Sequence, residues 1–93
     1  MGTPLDNDQL QTFLAIVDTG SFTKAADRVF KTQSAVSMQM RRLEERIGKE
    51  LFIKDGRGNR LTLEGEKLIN YARKIIRLNE EAIASFDDNR LEG

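Results

Sequence analysis

The chain has 93 residues, enough for one domain with one core. It contains no cysteine and no histidine, which excludes a disulfide scaffold, cysteine-based metal or redox chemistry, and the commonest general base. Its 15 Lys/Arg balance 15 Asp/Glu, but the balance is uneven along the chain: residues 21–63 hold ten bases against five acids, while residues 1–20 hold three acids and no base and residues 64–93 five bases against seven acids. A basic middle between acidic ends is a distribution that nucleic-acid readers show.

No apolar run reaches the roughly 18 residues needed to span a membrane, and the N-terminus lacks a basic start and an apolar h-region. A cytoplasmic setting is expected. After a loose start, Asp6 or Asn7 can cap a first helix whose apolar stripe is Leu10, Phe13, Leu14 and Val17. Gly20 stops it. Ser21 caps a short second helix, "FTKAADRVF", in which Ala25 and Ala26 allow close approach and Phe22, Val29 and Phe30 supply bulk. "FKT" is a tight connection. Thr32 then caps a third helix over 33–47, with Gly48 one past its end.

"LFIKDGRGNRLT" changes period and predicts two short strands around a Gly-rich turn. Such a hairpin must lean on the helices. Thr62 caps a last helix with Glu64 in its first turn. Its stripe is Leu68, Ile69, Ala72, Ile75, Ile76, Asn79, Ala82, Ile83 and Phe86, in which heptad spacing recurs. A seam of this length on a terminal helix asks for a partner. The organisation expected is a body over 1–63, a linker and dimerisation helix over 64–88, and a disordered tail over 89–93.

Two helices joined by a short turn, the second capped and polar, form a helix-turn-helix pattern. On a helical wheel Val36, Met40, Leu43 and Ile47 fall within an arc of about 60°. Met38 lies about 170° from the middle of that arc, so Met40 is inward and Met38 outward. The outward face is small and uncharged in its first turn (Ser34, Ser37) and basic in its second (Arg41). Short hydroxyl and amide side chains permit close approach and hydrogen-bond to base edges. Met38, if it does not pack on a partner chain, is suited to apolar contact with a thymine methyl. In "KDGRGNR", Arg57 between two glycines is a candidate for insertion into a narrow, A·T-rich minor groove. The adjacent pairs Glu44–Glu45 and Glu80–Glu81 lie on polar helix faces and read as solvated. With no nucleophile–base pair or phosphate loop in view, the chain does not read as an enzyme.

These residues together resemble a known family. "GSFTKAA", "TQSAVSMQMRRLEERIGKELF" and "LTLEGEKLINYA", in that order and spacing, are similar to the N-terminal domain of LysR-type transcriptional regulators, over about Leu5 to Phe86. The resemblance implies a mainly α, winged helix-turn-helix fold of three helices plus a short β-hairpin wing, followed by a long dimerisation helix. It also implies a homodimer held by antiparallel linker helices. Gln33, Ser34 and Ser37 match positions that read bases, with Ser34 where proline is frequent. Met38 stands where relatives often carry arginine or another polar residue. Ser21, Lys24, Lys31, Thr32 and Arg41 match positions near phosphates. Arg57 matches the wing arginine, with Lys54 and Arg60 nearby. The implied dimerisation residues are Leu68, Ile69, Ala72, Ile75, Ile76, Asn79, Ile83 and Phe86. No cofactor is expected in this chain, since a small-molecule effector would bind a further C-terminal domain.

The expected function is sequence-specific binding of double-stranded DNA by a dimeric domain of a bacterial transcription regulator. The helix over 33–47 would lie in the major groove and the wing over 54–60 at the minor groove of an interrupted palindrome with A·T-rich flanks. The competing expectation is a helical interaction module without DNA binding, which the zero net charge and the apolar Met38 favour.

Overall fold

A computed structural model describes residues 4–56 and 58–87. Along it run α1 (Asn7–Thr19), α2 (Phe22–Arg28), α3 (Gln33–Ile47), β1 (Phe52–Asp55), β2 (Gly58–Leu61) and α4 (Leu63–Ala84). Each helix starts on a side chain that accepts a hydrogen bond from an otherwise unpaired backbone N–H. Asp6 takes that of Asp8, Ser21 that of Lys24, Thr32 that of Ala35 and Thr62 that of Gly65. At the end of α3, Gly48 (φ 81°) turns left-handed and its N–H closes on the Glu44 carbonyl.

The core lies where α1 meets the other three helices. Leu10 and Phe13 of α1, Ala25 and Ala26 of α2, Val36, Met40 and Leu43 of α3, and Leu68 and Ala72 of α4 are buried together with Leu51. The two alanines let α2 approach α1 closely, and helix-period apolar spacing supplies the rest. β1 and β2 form an antiparallel hairpin in the register Phe52↔Leu61, Ile53↔Arg60, Lys54↔Asn59 and Asp55↔Gly58. Phe52 anchors it. Its ring lies 5.7 Å from that of Phe13 and meets Phe22 edge-on at 5.2 Å, a favourable arrangement of aromatic quadrupoles. The arrangement is a winged helix-turn-helix with a long C-terminal helix. Among the described residues no helix is long and apolar enough to cross a membrane.

Three expectations need correcting. The second helix ends at Arg28, with Val29 as its C-cap, and Phe30 does not join the core: it is 94% exposed with φ 59°. The turn demands a left-handed residue there, so that the Lys31 N–H can reach back to the Ala26 carbonyl at 2.9 Å, and this swings the ring outward. The last helix runs over 63–84, ending four residues short of the predicted boundary at 88. The expected tail over 89–93 lies outside the described residues. Finally, Leu68 and Ala72 are buried within the chain's own core and are not on offer to a second copy.

The Phe30 geometry predicts a stabilising substitution. A left-handed conformation costs a bulky L-residue about 1–2 kcal/mol and Asn much less. Phe30→Asn is therefore expected to raise the thermal midpoint by a few degrees, on the scale of about 4–8 °C per kcal/mol for a domain of this size. A lowered midpoint would show that the exposed ring contributes packing that its exposure hides.

Candidate nucleic-acid interface

α3 presents its outward face as the wheel requires. Gln33, Ser34, Ser37, Met38 and Arg41 line one shallow concave surface, and all are exposed. Met38 is 47% exposed while Met40, two residues on, is 3% exposed. The N-terminal end of α3 opens onto the same face. Its dipole favours anions there, and the Thr32 hydroxyl accepts from the Ala35 N–H at 3.1 Å and lies 3.5 Å from the Ser34 hydroxyl. Ser21 holds the equivalent place on α2, accepting from the Lys24 N–H at 3.1 Å.

A second cleft, of about 390 Å³, connects this face to the wing. Its lining includes Ser21, Phe22 and Thr23 at the start of α2, Gly58, Asn59 and Leu61 of β2, and Gln33 of α3. The start of the recognition helix and the second wing strand thus border one continuous depression. Thr23 and Asn59 belong to this surface although the sequence did not single them out. Both are small polar residues beside predicted contacts, and only the folding of the wing against α2 brings them together.

The described Lys and Arg residues expected near phosphates divide into two groups. Lys24, Arg41 and Lys54 are exposed and make no ion pair among the described residues. Lys31 and Arg60 are already paired: Lys31 Nζ lies 3.4 Å from Asp8 Oδ2, and Arg60 Nε lies 3.5 Å from Asp55 Oδ2 across the hairpin. Asp8 also accepts from Gln39 Nε2 at 2.7 Å, and the other end of that amide meets the Thr12 hydroxyl at 2.6 Å. This network joins α1, the turn before α3 and the middle of α3. It thereby links the α3 helix to α1. Arg57, the predicted minor-groove residue, lies outside the described residues. Its neighbour Gly56 takes φ 65° in the hairpin turn.

Glu44 is not solvated as its sequence context suggested. Its Oε2 accepts from the backbone N–H of Leu51 at 2.8 Å and of Phe52 at 3.2 Å. One carboxylate on the recognition helix thereby ties down the base of the wing with charge-assisted bonds. Glu44→Ala would strand two donors, at about 1–3 kcal/mol each when buried. The expected results are a lower midpoint and faster hydrogen exchange at Leu51 and Phe52, with Glu44→Gln in between. Unchanged exchange at both amides would show that the tether is dispensable.

On α4, the predicted partner-facing stripe is shared between two surfaces. Ile69, Ile75 and Ile76 are half-buried against the core, and Asn79 donates to Asn7 Oδ1 at 2.8 Å. Arg73 pairs with Asp18 at 2.9 Å. Ile83 and Phe86 remain exposed, joined by Tyr71 and Leu78. The heptad pattern missed Tyr71 and Leu78 because the sequence cannot show which of two neighbouring stripes the body covers.

The chain is similar to proteins of known kind. The family model described as "Bacterial regulatory helix-turn-helix protein, lysR family" matches residues 7–66. The HTH-type transcriptional regulator PecT of Dickeya dadantii is 51% identical over 89 residues, 96% of this chain and 28% of PecT. The chain thus spans less than a third of that curated relative. The crystal structure of Vibrio fischeri DarR in complex with DNA superposes with a TM-score of 0.86 at 27% identity, covering 98% of this chain and 31% of that one. The CbnR_DBD–DNA complex superposes at 0.79 with 32% identity, covering 95% of this chain and 98% of that one.

Proposed function

Because the chain belongs to the lysR family of bacterial regulatory helix-turn-helix proteins, we propose that it is the double-stranded-DNA-reading part of a transcription regulator and works as a homodimer. The observation that carries this reading is the α3 face. It is concave, exposed, small and polar in its first turn and basic in its second, with a helix N-terminus leading. Gln33, Ser34, Ser37 and Met38 are assigned to base edges in the major groove. Ser21, Lys24, Lys31, Thr32, Arg41, Lys54 and Arg60 are assigned to phosphates, and Arg57 to the flanking minor groove. Lys31 and Arg60 must exchange their carboxylate partners for phosphate, so each is assigned a smaller share of affinity than Arg41.

Dimerisation is assigned to the exposed apolar residues of α4 and the turn that follows it, with Ile83 and Phe86 from the predicted set and Tyr71 and Leu78 added. Two copies related by a two-fold axis would place their recognition helices in half-sites one helical turn, or a multiple of it, apart. The chain is assigned binding rather than catalysis. A small-molecule effector would act through a further domain of a longer protein.

The test is a titration of an A·T-rich duplex at two salt concentrations. Binding at low salt that weakens log-linearly with salt is the expected result, because phosphate neutralisation releases counterions. The absence of binding at low salt would instead favour a helical interaction module.

A further inference from the structure

Met38 is the apolar residue in the α3 concavity, whose other lining residues are Gln33, Ser34, Ser37 and Arg41. A half-exposed methionine among polar neighbours calls for a reason. Long helical side chains incline toward the helix N-terminus, which carries Met38 over the residue one turn back, Ser34. That serine is small and exposed, and leaves the thioether room to project into whatever enters the concavity. Ser37 stands beside it, also exposed.

Chemistry then narrows what this trio can recognise. In the major groove thymine presents O4 as acceptor and a C5-methyl, and cytosine presents an N4–H2 donor. A serine hydroxyl both donates and accepts, so Ser34 and Ser37 satisfy either edge. Among the described residues no carboxylate, which would select the cytosine amine, lines the concavity. The feature that a polarisable thioether does sense is the methyl group. We propose, building on the reading of this face as a major-groove reader, that Met38 with Ser34 and Ser37 forms a socket for a pyrimidine C5-methyl. It accepts thymine and 5-methylcytosine alike and discriminates against their unmethylated counterparts. Where a cytosine stands at that position, binding of this chain is then sensitive to its C5 methylation.

The experiment begins with a duplex selected from a random pool by the 93-residue chain. Each thymine is replaced in turn by deoxyuridine, and, at any responsive position, the pair is exchanged for C·G with and without 5-methylation of the cytosine. The expected result is one responsive position per half-site, where loss of the methyl weakens binding about four-fold, the worth of burying one methyl-sized group. 5-Methylation of cytosine at that position should strengthen binding by a similar factor. In Met38→Ala, checked for folding by thermal melting, methylated and unmethylated duplexes should bind alike. The proposal is overturned if no thymine responds to deoxyuridine, or if the response is as large in Met38→Ala. If the selected duplex fails even to outcompete a scrambled one, the DNA-reading proposal falls too, so the two failures are distinguishable.

Discussion

A Ser37→Trp chain is expected to fold like its parent and to lose sequence-specific binding, its affinity for a selected duplex dropping at least about a thousand-fold, to the non-specific level. Ser37 is exposed and contributes nothing to the buried cluster of Val36, Met40 and Leu43, so an added ring has solvent to occupy and no core to disrupt. What it removes is approach. Gln33, Ser34, Ser37 and Met38 are all short or flexible, and base-edge hydrogen bonds require donor and acceptor within about 3 Å. A tryptophan standing among them holds the helix axis several ångströms out of the groove, and every contact is lost at once. Fluorescence anisotropy against selected and scrambled duplexes, with melting as a control for folding, checks this. A variant that still prefers the selected duplex would mean that α3 docks by another face.

The second large effect is on stability. Gly65 is buried in the first turn of α4. A Cβ there would stand 2.5 Å from the Leu51 backbone oxygen and 2.6 Å from Leu61 Cδ2. The leucine side chain can rotate away. The carbonyl cannot, because it accepts the Thr62 N–H at 2.9 Å, while the Thr62 hydroxyl donates to the Glu50 carbonyl next to it at 2.6 Å. Gly65→Ala is therefore expected to destabilise the domain by about 2–3 kcal/mol, despite alanine's better helix propensity. That corresponds to a midpoint lower by about 10–20 °C. Chemical denaturation would show it directly, and a midpoint within about 2 °C of the parent would show that α4 can shift off the wing base without penalty.

Much of the fold was legible because its signals are local. Ser21, Thr32 and Thr62 cap the helices they were expected to cap, Gly48 takes the left-handed position, and the wheel separates Met40 from Met38. These follow from backbone chemistry within one turn of the residue concerned. Glu44 was misread because its partners, the Leu51 and Phe52 amides, come close only after the chain reverses at Gly48. Phe30 was misread because an apolar residue in a short turn reads as core, whereas turn geometry decides its direction. The α4 stripe was half legible. Its period was right, but which side the body occupies depends on how α1 and α4 pack, and this exposes Tyr71 and Leu78 in place of Leu68 and Ala72. The Asp8–Gln39–Thr12 network joins residues 27 and 31 positions apart, a separation at which sequence pattern is silent.

The seating of α4 on α1 has a mechanical consequence. Burial of Leu68 and Ala72, with Arg73–Asp18 and Asn79–Asn7 bridging the surface, makes the 22-residue helix a stiff lever continuous with the reading head. At about 1.5 Å per residue it is about 33 Å long, so a pivot of about 10° at its far end carries the near end through about 6 Å. That is nearly two base-pair steps of about 3.4 Å. In the homodimer proposed above, a change in how two such levers cross would therefore re-space the α3 faces along the duplex without altering any residue assigned to touch it.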